Sequence, residues 1–124
     1  MADERATTGR VGEDAALATY EGRGYLLIAR NWRCRVGELD LVVARADTLV
    51  FCEVKSRRGA GFGGGFEAVT ARKRAKLRAV AEAFLLTTGV RPRAIRFDVA
   101  SVDVRDGPTK PGARSTVELF EDAF

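Results

Sequence analysis

Two carboxylates and a lysine stand in segments that are otherwise apolar. Asp40 closes Gly37-Glu38-Leu39-Asp40, and Glu53 and Lys55 lie in Phe51-Cys52-Glu53-Val54-Lys55. Both segments alternate as strands do. Leu39, Leu41 and Val43 alternate with Glu38, Asp40 and Val42, and Val50, Cys52 and Val54 alternate with Phe51, Glu53 and Lys55. Side chains two apart on a strand share a face, roughly 6.6 Å apart along it, so Glu53 and Lys55 project together. Two charges side by side on so apolar a strand are costly unless they meet partners or do chemistry. The chemistry that fits is metal-assisted hydrolysis of a phosphodiester. Asp40 and Glu53 are hard oxygen donors suited to Mg²⁺ or Mn²⁺. Lys55 could orient the attacking water or offset charge building on the phosphate. A cross-strand ion pair on a solvated sheet face is the competing reading of the same three residues.

Two helices must position this set. Between Gly9 and Glu21 the pattern suits a helix, ended by the Gly22-Arg23-Gly24 turn. Leu17 and Tyr20 define its bulky apolar face, and Glu13 falls between them on the wheel. A carboxylate on the face that packs against a sheet is costly unless it meets a cation or a metal. The alternative is a partly exposed Glu near a helix N-terminus, where the dipole favours it. Asp14 points well away and is expected to be an ordinary solvated charge.

The second helix is expected from Thr70, a fitting N-cap, to Gly89. Its apolar stripe is Leu77, Val80, Ala81, Phe84 and Leu85. The first two turns hold Arg72, Lys73, Arg74, Lys76 and Arg78, with no acidic residue before Glu82. Cations there oppose the helix dipole, a cost that makes sense if a phosphate backbone passes nearby. Any single one of them is otherwise a solvated side chain; the cluster is the signal.

The 124 residues suffice for one core, and 46% hydrophobic content is ordinary for a globular domain. Lys and Arg total 21 against 17 Asp and Glu, a net charge of +4 that suits nucleic acid without requiring it. There is no histidine, which excludes Ser-His-Asp and Cys-His catalysis and His-ligated zinc. Cys34 and Cys52 make neither a disulfide framework nor a zinc site. Cys52 is expected as a small core residue. The first residues carry no apolar leader and no stretch reaches membrane-spanning length, so a cytoplasmic protein without a membrane partner is expected.

Tyr25 to Asn31 is expected as a first strand, with Trp32 packed against the sheet edge or stacked on a base. Ile95 to Val104 marks a strand after the second helix, with Asp98 on the side away from the core and paired with a neighbouring arginine. Residues 107–112 suit a turn, and Val117 to Phe120 a last short strand. Gly59 to Gly65 lacks the ending of a phosphate-cradling P-loop and is expected to be a flexible loop beside the site. This order predicts an α/β domain with a mixed sheet. The strands from Tyr25 to Lys55 form an antiparallel meander, and a right-handed crossover makes the next strand parallel to its predecessor. The site residues then converge with Glu13 at one end of the sheet.

The run from Gly12-Glu13 through Asn31-Trp32-Arg33, Gly37-Glu38-Leu39-Asp40-Leu41-Val42, Phe51-Cys52-Glu53-Val54-Lys55-Ser56-Arg57 and Arg96-Phe97-Asp98 resembles the YraN family. That is a bacterial family of small predicted nucleases with a restriction-endonuclease-like fold, similar in motif order to archaeal Holliday-junction resolvases. The resemblance implies a single domain whose mixed sheet is flanked by helices. Residues 1–8 would be a tail, 9–106 the nuclease-like body, and 107–124 a turn and C-terminal segment packed on it. It implies a site of Glu13, Asp40, Glu53 and Lys55. Asp40 and Glu53 would bind Mg²⁺ or Mn²⁺, with Glu13 joining directly or through water. Arg57, Arg58, Arg72, Lys73 and Lys76 are the residues expected to contact nucleic acid. The function implied is hydrolysis of DNA, branched or structured DNA included. Resolvases work as symmetric pairs, so a homodimer fits. A noncatalytic nucleic-acid-binding module and a homodimeric assembly factor are the other two readings.

Overall fold

The apolar alternations and the two helical stripes assemble into one α/β domain. The computed structural model describes residues 4–59 and 69–124. In chain order these form α1 (Glu4–Gly22), β1 (Leu26–Arg33), β2 (Glu38–Arg45), β3 (Thr48–Arg58), α2 (Ala71–Thr88), β4 (Ala94–Val104) and β5 (Thr116–Phe120). The sheet order is β1-β2-β3-β4-β5, antiparallel except for the β3–β4 pair. This mixed sheet with a helix on each face is consistent with the restriction-endonuclease-like fold. No helix among the described residues is long and apolar enough to cross a membrane.

Each helix covers one face. On α1, Gly12, Ala16 and Tyr20 are buried at four-residue spacing, and the helix lies against Leu41, Val43, Val50, Cys52, Ala100 and Val102. Small residues at Gly12 and Ala16 let the helix come close: a Cβ at Gly12 would overlap Ser56 Oγ. On the other face Val80, Ala81 and Phe84 of α2 pack on Leu39, Val42, Phe51 and Phe97. Thr70 caps α2, its hydroxyl accepting the Lys73 N–H at 3.2 Å, and Gly89 ends it in the left-handed conformation.

Three expectations are corrected. The first helix starts at Glu4 rather than Gly9, so Thr8 belongs to it. The first strand runs on to Arg33, with Trp32 edge-on to Phe84 at 5.2 Å. Asp98 does turn away from Phe97 and Val99 and pairs with Arg96, but it is fully buried, because α1 makes that face a second core. It accepts from Tyr20 Oη, from two Arg96 nitrogens and from the Asp122 N–H at 2.7–3.0 Å. The glycine-rich run lies, after Gly59, outside the described residues.

Candidate active site

Two irregularities facing each other on neighbouring strands shape the site. In β1, Asn31 takes a left-handed φ of 53°, a conformation that Asn tolerates better than most residues. The strand's faces change across it: Arg30 reaches α1, where it pairs with Glu13 and Asp14, while Trp32 turns to α2. In β2 the change falls at Asp40, which lies between the Leu41–Arg30 and Leu39–Trp32 pairs. Leu39 packs in the α2 core and Leu41 in the α1 core. The strict alternation expected over residues 38–43 therefore breaks at Asp40. The registered pairs of β2 with β3 stop at Leu41–Cys52, and Asp40 Oδ2 accepts the Val54 N–H at 2.9 Å. A carboxylate thus stands at the point where the backbone ladder ends.

Past this point a cavity of about 500 Å³ opens, lined by Glu13, Asp40, Glu53, Ser56, Arg58 and Thr8 among others. Glu13, Asp40 and Glu53 come from a helix and two strands, as expected of one site. A smaller cleft of about 250 Å³ shares Asp40 and Glu53 and adds Glu38, Lys73 and Lys76. The carboxylate pair therefore borders both.

Burial pushes the Asp40 carboxyl up to about 7, and the neighbouring Glu53 carboxylate adds to the rise. The Glu13 carboxyl is also raised, first by burial, against the opposing hydrogen bond from Asn31. Asn31 Nδ2 donates to Glu13 Oε1 at 3.2 Å, and Arg30 Nε at 3.4 Å. Lys55 is half-buried; burial and then the neighbouring Lys73 lower its pKa, while Glu53 and Asp40 oppose that. Lys73 Nζ lies 4.0 Å from Glu53 Oε2.

The basic residues divide. Lys73 and Lys76 line the smaller cleft and Arg58 the larger. Arg57 and Arg72 are exposed and line neither. Two other members of the basic run serve the fold: Arg74 donates to the Val69 carbonyl, and Arg78 lies over the Phe97 and Phe124 rings.

Arg30, Asn31, Thr8 and Ser56 were not singled out by sequence as site neighbours. An Asn within an apolar strand was the one local sign that the strand bends there. Ser56 Oγ is buried without a hydrogen-bond partner among the described residues, a state that costs about 1–3 kcal/mol.

A divalent ion can be tested against these donors. Among the described residues no three acidic or cysteine side chains lie close enough together to hold an ion by themselves. Asp40 and Glu53 do form a close pair, and Glu13 beside them is engaged by Arg30 and Asn31. Mg²⁺ is commonly bound through one or two carboxylates, with waters and substrate phosphate completing its shell. An all-oxygen pair whose mutual repulsion a cation would relieve fits that ion or Mn²⁺.

The model of the uncharacterised protein family UPF0102, which is the YraN family, matches residues 12–102. A UPF0102 protein of Parafrankia sp. (strain EAN1pec) is 51% identical over 94 residues, covering 76% of this chain and 80% of the relative. One from Pelotomaculum thermopropionicum is 43% identical over 125 residues and covers all of both chains. One from Acidothermus cellulolyticus is 47% identical over 120 residues, covering 87% of this chain and 91% of the relative.

Proposed function

The chain belongs to the uncharacterised protein family UPF0102, and from that premise we propose that it is a metal-dependent endonuclease hydrolysing phosphodiester bonds in DNA. Branched or structured DNA is the substrate that the similarity in motif order to resolvases suggests. The observation that carries this reading is the Asp40–Glu53 pair. Two carboxylates from adjacent strands border one open cavity with Glu13, and burial together with Glu53 raises the Asp40 pKa to about 7. One Asp40 oxygen is used on the Val54 N–H, and a cation would relieve the repulsion between the two carboxylates.

Asp40 and Glu53 would hold Mg²⁺ or Mn²⁺, with Glu13 beside them directly or through water. Bound there, such an ion supplies Lewis-acid polarisation of a phosphoryl oxygen and a more acidic water. Lys55, beside Glu53 on β3, orients the water or offsets charge on the phosphate. Lys73 and Lys76 receive the backbone in the smaller cleft, and Arg57, Arg58 and Arg72 extend the basic surface. A cytoplasmic setting and a homodimer are part of this proposal.

The test is a calorimetric titration of Mn²⁺ and Mg²⁺ into wild type and the Asp40→Asn/Glu53→Gln double variant. A cleavage screen over linear, flapped and four-way DNA accompanies it. Metal binding and cleavage that vanish together in the folded variant support the proposal. Silence in both, also with noncleavable DNA present, overturns it. One observation favours a noncatalytic DNA-binding module instead: Glu13 and Glu53 already have cationic partners in Arg30 and Lys73. That reading predicts salt-sensitive binding that ignores divalent ions.

A further inference from the structure

The second half of β3 carries chemistry on both faces, and the proposed metal site accounts for only one of them. Glu53 and Lys55 lie beside Lys73 of α2. Ser56 and Arg58, on the α1 side, line the larger cavity together with Thr8 and Glu13. Ser56 Oγ, packed against Gly12 of α1, is buried and has no hydrogen-bond partner among the described residues. Alanine would fill that position without leaving a hydroxyl unsatisfied, so the hydroxyl is unexplained by the fold.

Arg58 is held from two sides. Its Nε donates to Thr8 Oγ1 at 2.8 Å, and one terminal nitrogen lies 3.1 Å from Asp106 Oδ2. The Gly112 N–H and Arg58 itself keep the Asp106 carboxyl below its ordinary pKa, so that anchor stays charged. A guanidinium has five N–H donors in a rigid fork. Two are used on described partners, and the side chain still borders the cavity. A fixed cation and a hydroxyl on one wall, with carboxylates on the other, recognise a ligand that is anionic at one end and meets a metal at the other.

We propose that Ser56 and Arg58, with Thr8 and Asp106 positioning the guanidinium, form a second phosphate subsite on the α1 side of the Asp40–Glu53 pair. It takes a DNA backbone phosphate neighbouring the one to be cleaved, while Lys73 and Lys76 take the strand on the α2 side. The subsite rests on the nuclease reading for its neighbour, and its test is kept separate from cleavage.

Binding of fluorescein-labelled duplex and four-way DNA is followed by anisotropy in EDTA across a salt series. Cleavage of the same DNA is followed in Mn²⁺. Arg58→Gln is expected to weaken binding about 3–10-fold and to lower the salt slope by about one. Arg58→Lys restores the slope. Ser56→Ala is expected to weaken binding about 2–5-fold, the loss of one hydrogen bond, with the melting temperature unchanged or higher. If Arg58→Gln only lowers the melting temperature and Ser56→Ala binds as wild type, the subsite is overturned, whatever the cleavage assay shows. If wild type neither binds Mn²⁺ nor cleaves but these losses occur, the nuclease reading falls and the phosphate subsite stands.

Discussion

Asp98 and Asp40 are both withdrawn from water in the same sheet, yet their surroundings treat them in opposite ways. Asp98, fully buried, accepts four hydrogen bonds, two of them from the Arg96 guanidinium. Asp40 accepts the Val54 N–H and lies against the Glu53 carboxylate at the edge of an open cavity. The first is a charge whose whole shell is supplied by the fold. It ties α1 to β4 through Tyr20 and the C-terminal turn to β4 through Asp122. The second is a carboxyl whose shell, among the described residues, is left incomplete beside another carboxylate. A buried aspartate serves architecture when every lone pair is met, and an unmet carboxylate pair beside a cavity is the observation on which the proposed metal site rests.

The largest effect expected from breaking this contrast is at Asp98. Asp98→Ala removes the buried acceptor shared by the Tyr20 hydroxyl, the Asp122 N–H and the partly exposed Arg96 guanidinium, which keeps Glu121 and Tyr25, and is expected to cost about 2–4 kcal/mol; urea denaturation measures it. A loss below about 1 kcal/mol would mean that the network is not the clamp described. Next comes the contact that seats α1 over the cavity. Gly12→Ala must push Ser56 or the helix aside, and a destabilisation of about 1–3 kcal/mol is expected. Cleavage should fall as Glu13 moves with α1, and Ser56→Ala in the same chain should recover part of the stability.

Asp40→Asn sharpens the comparison by acting with the opposite sign. The Asp40 pKa is raised from 3.8 to about 7 on folding. Its contribution to stability is therefore full below about pH 4 and lost as pH rises through about 7. Without metal, the Asn variant is expected to be more stable than wild type by about 1–2 kcal/mol at pH 8, and equal to it near pH 4. Melting curves across that range decide, and saturating Mn²⁺ should close the gap at pH 8. A variant less stable at pH 8 would show that the carboxylate is structural after all. The smallest effect falls on Lys73→Met. Its 4.0 Å contact with Glu53 is partly exposed, so the stability change should stay below about 1 kcal/mol. DNA affinity should nevertheless drop and the salt slope shrink by about one.

What could be read from the chain before folding was local. The β3 alternation placed Glu53 and Lys55 on one face because period two is imposed by strand geometry itself. The Thr70 and Gly89 caps bounded α2 because their chemistry acts within one turn. The parallel β3–β4 pair followed from crossover handedness. The failures share a cause as well. Alternation carried through Asp40 would put Leu39 and Leu41 in one core, but the left-handed Asn31 opposite lets both strands change face there. Asp98, expected away from the core, lies in a second core because α1 covers that side.

The sequence alone therefore determined the elements, their order and the residue types available for chemistry, since propensity, periodicity and capping act between near neighbours. Tertiary structure decided which carboxylates are satisfied. Tyr20 meets Asp98 across 78 residues and Arg30 meets Glu13 across 17. Desolvation and pairing at such separations depend on how helices seat on a sheet, and no local pattern encodes that.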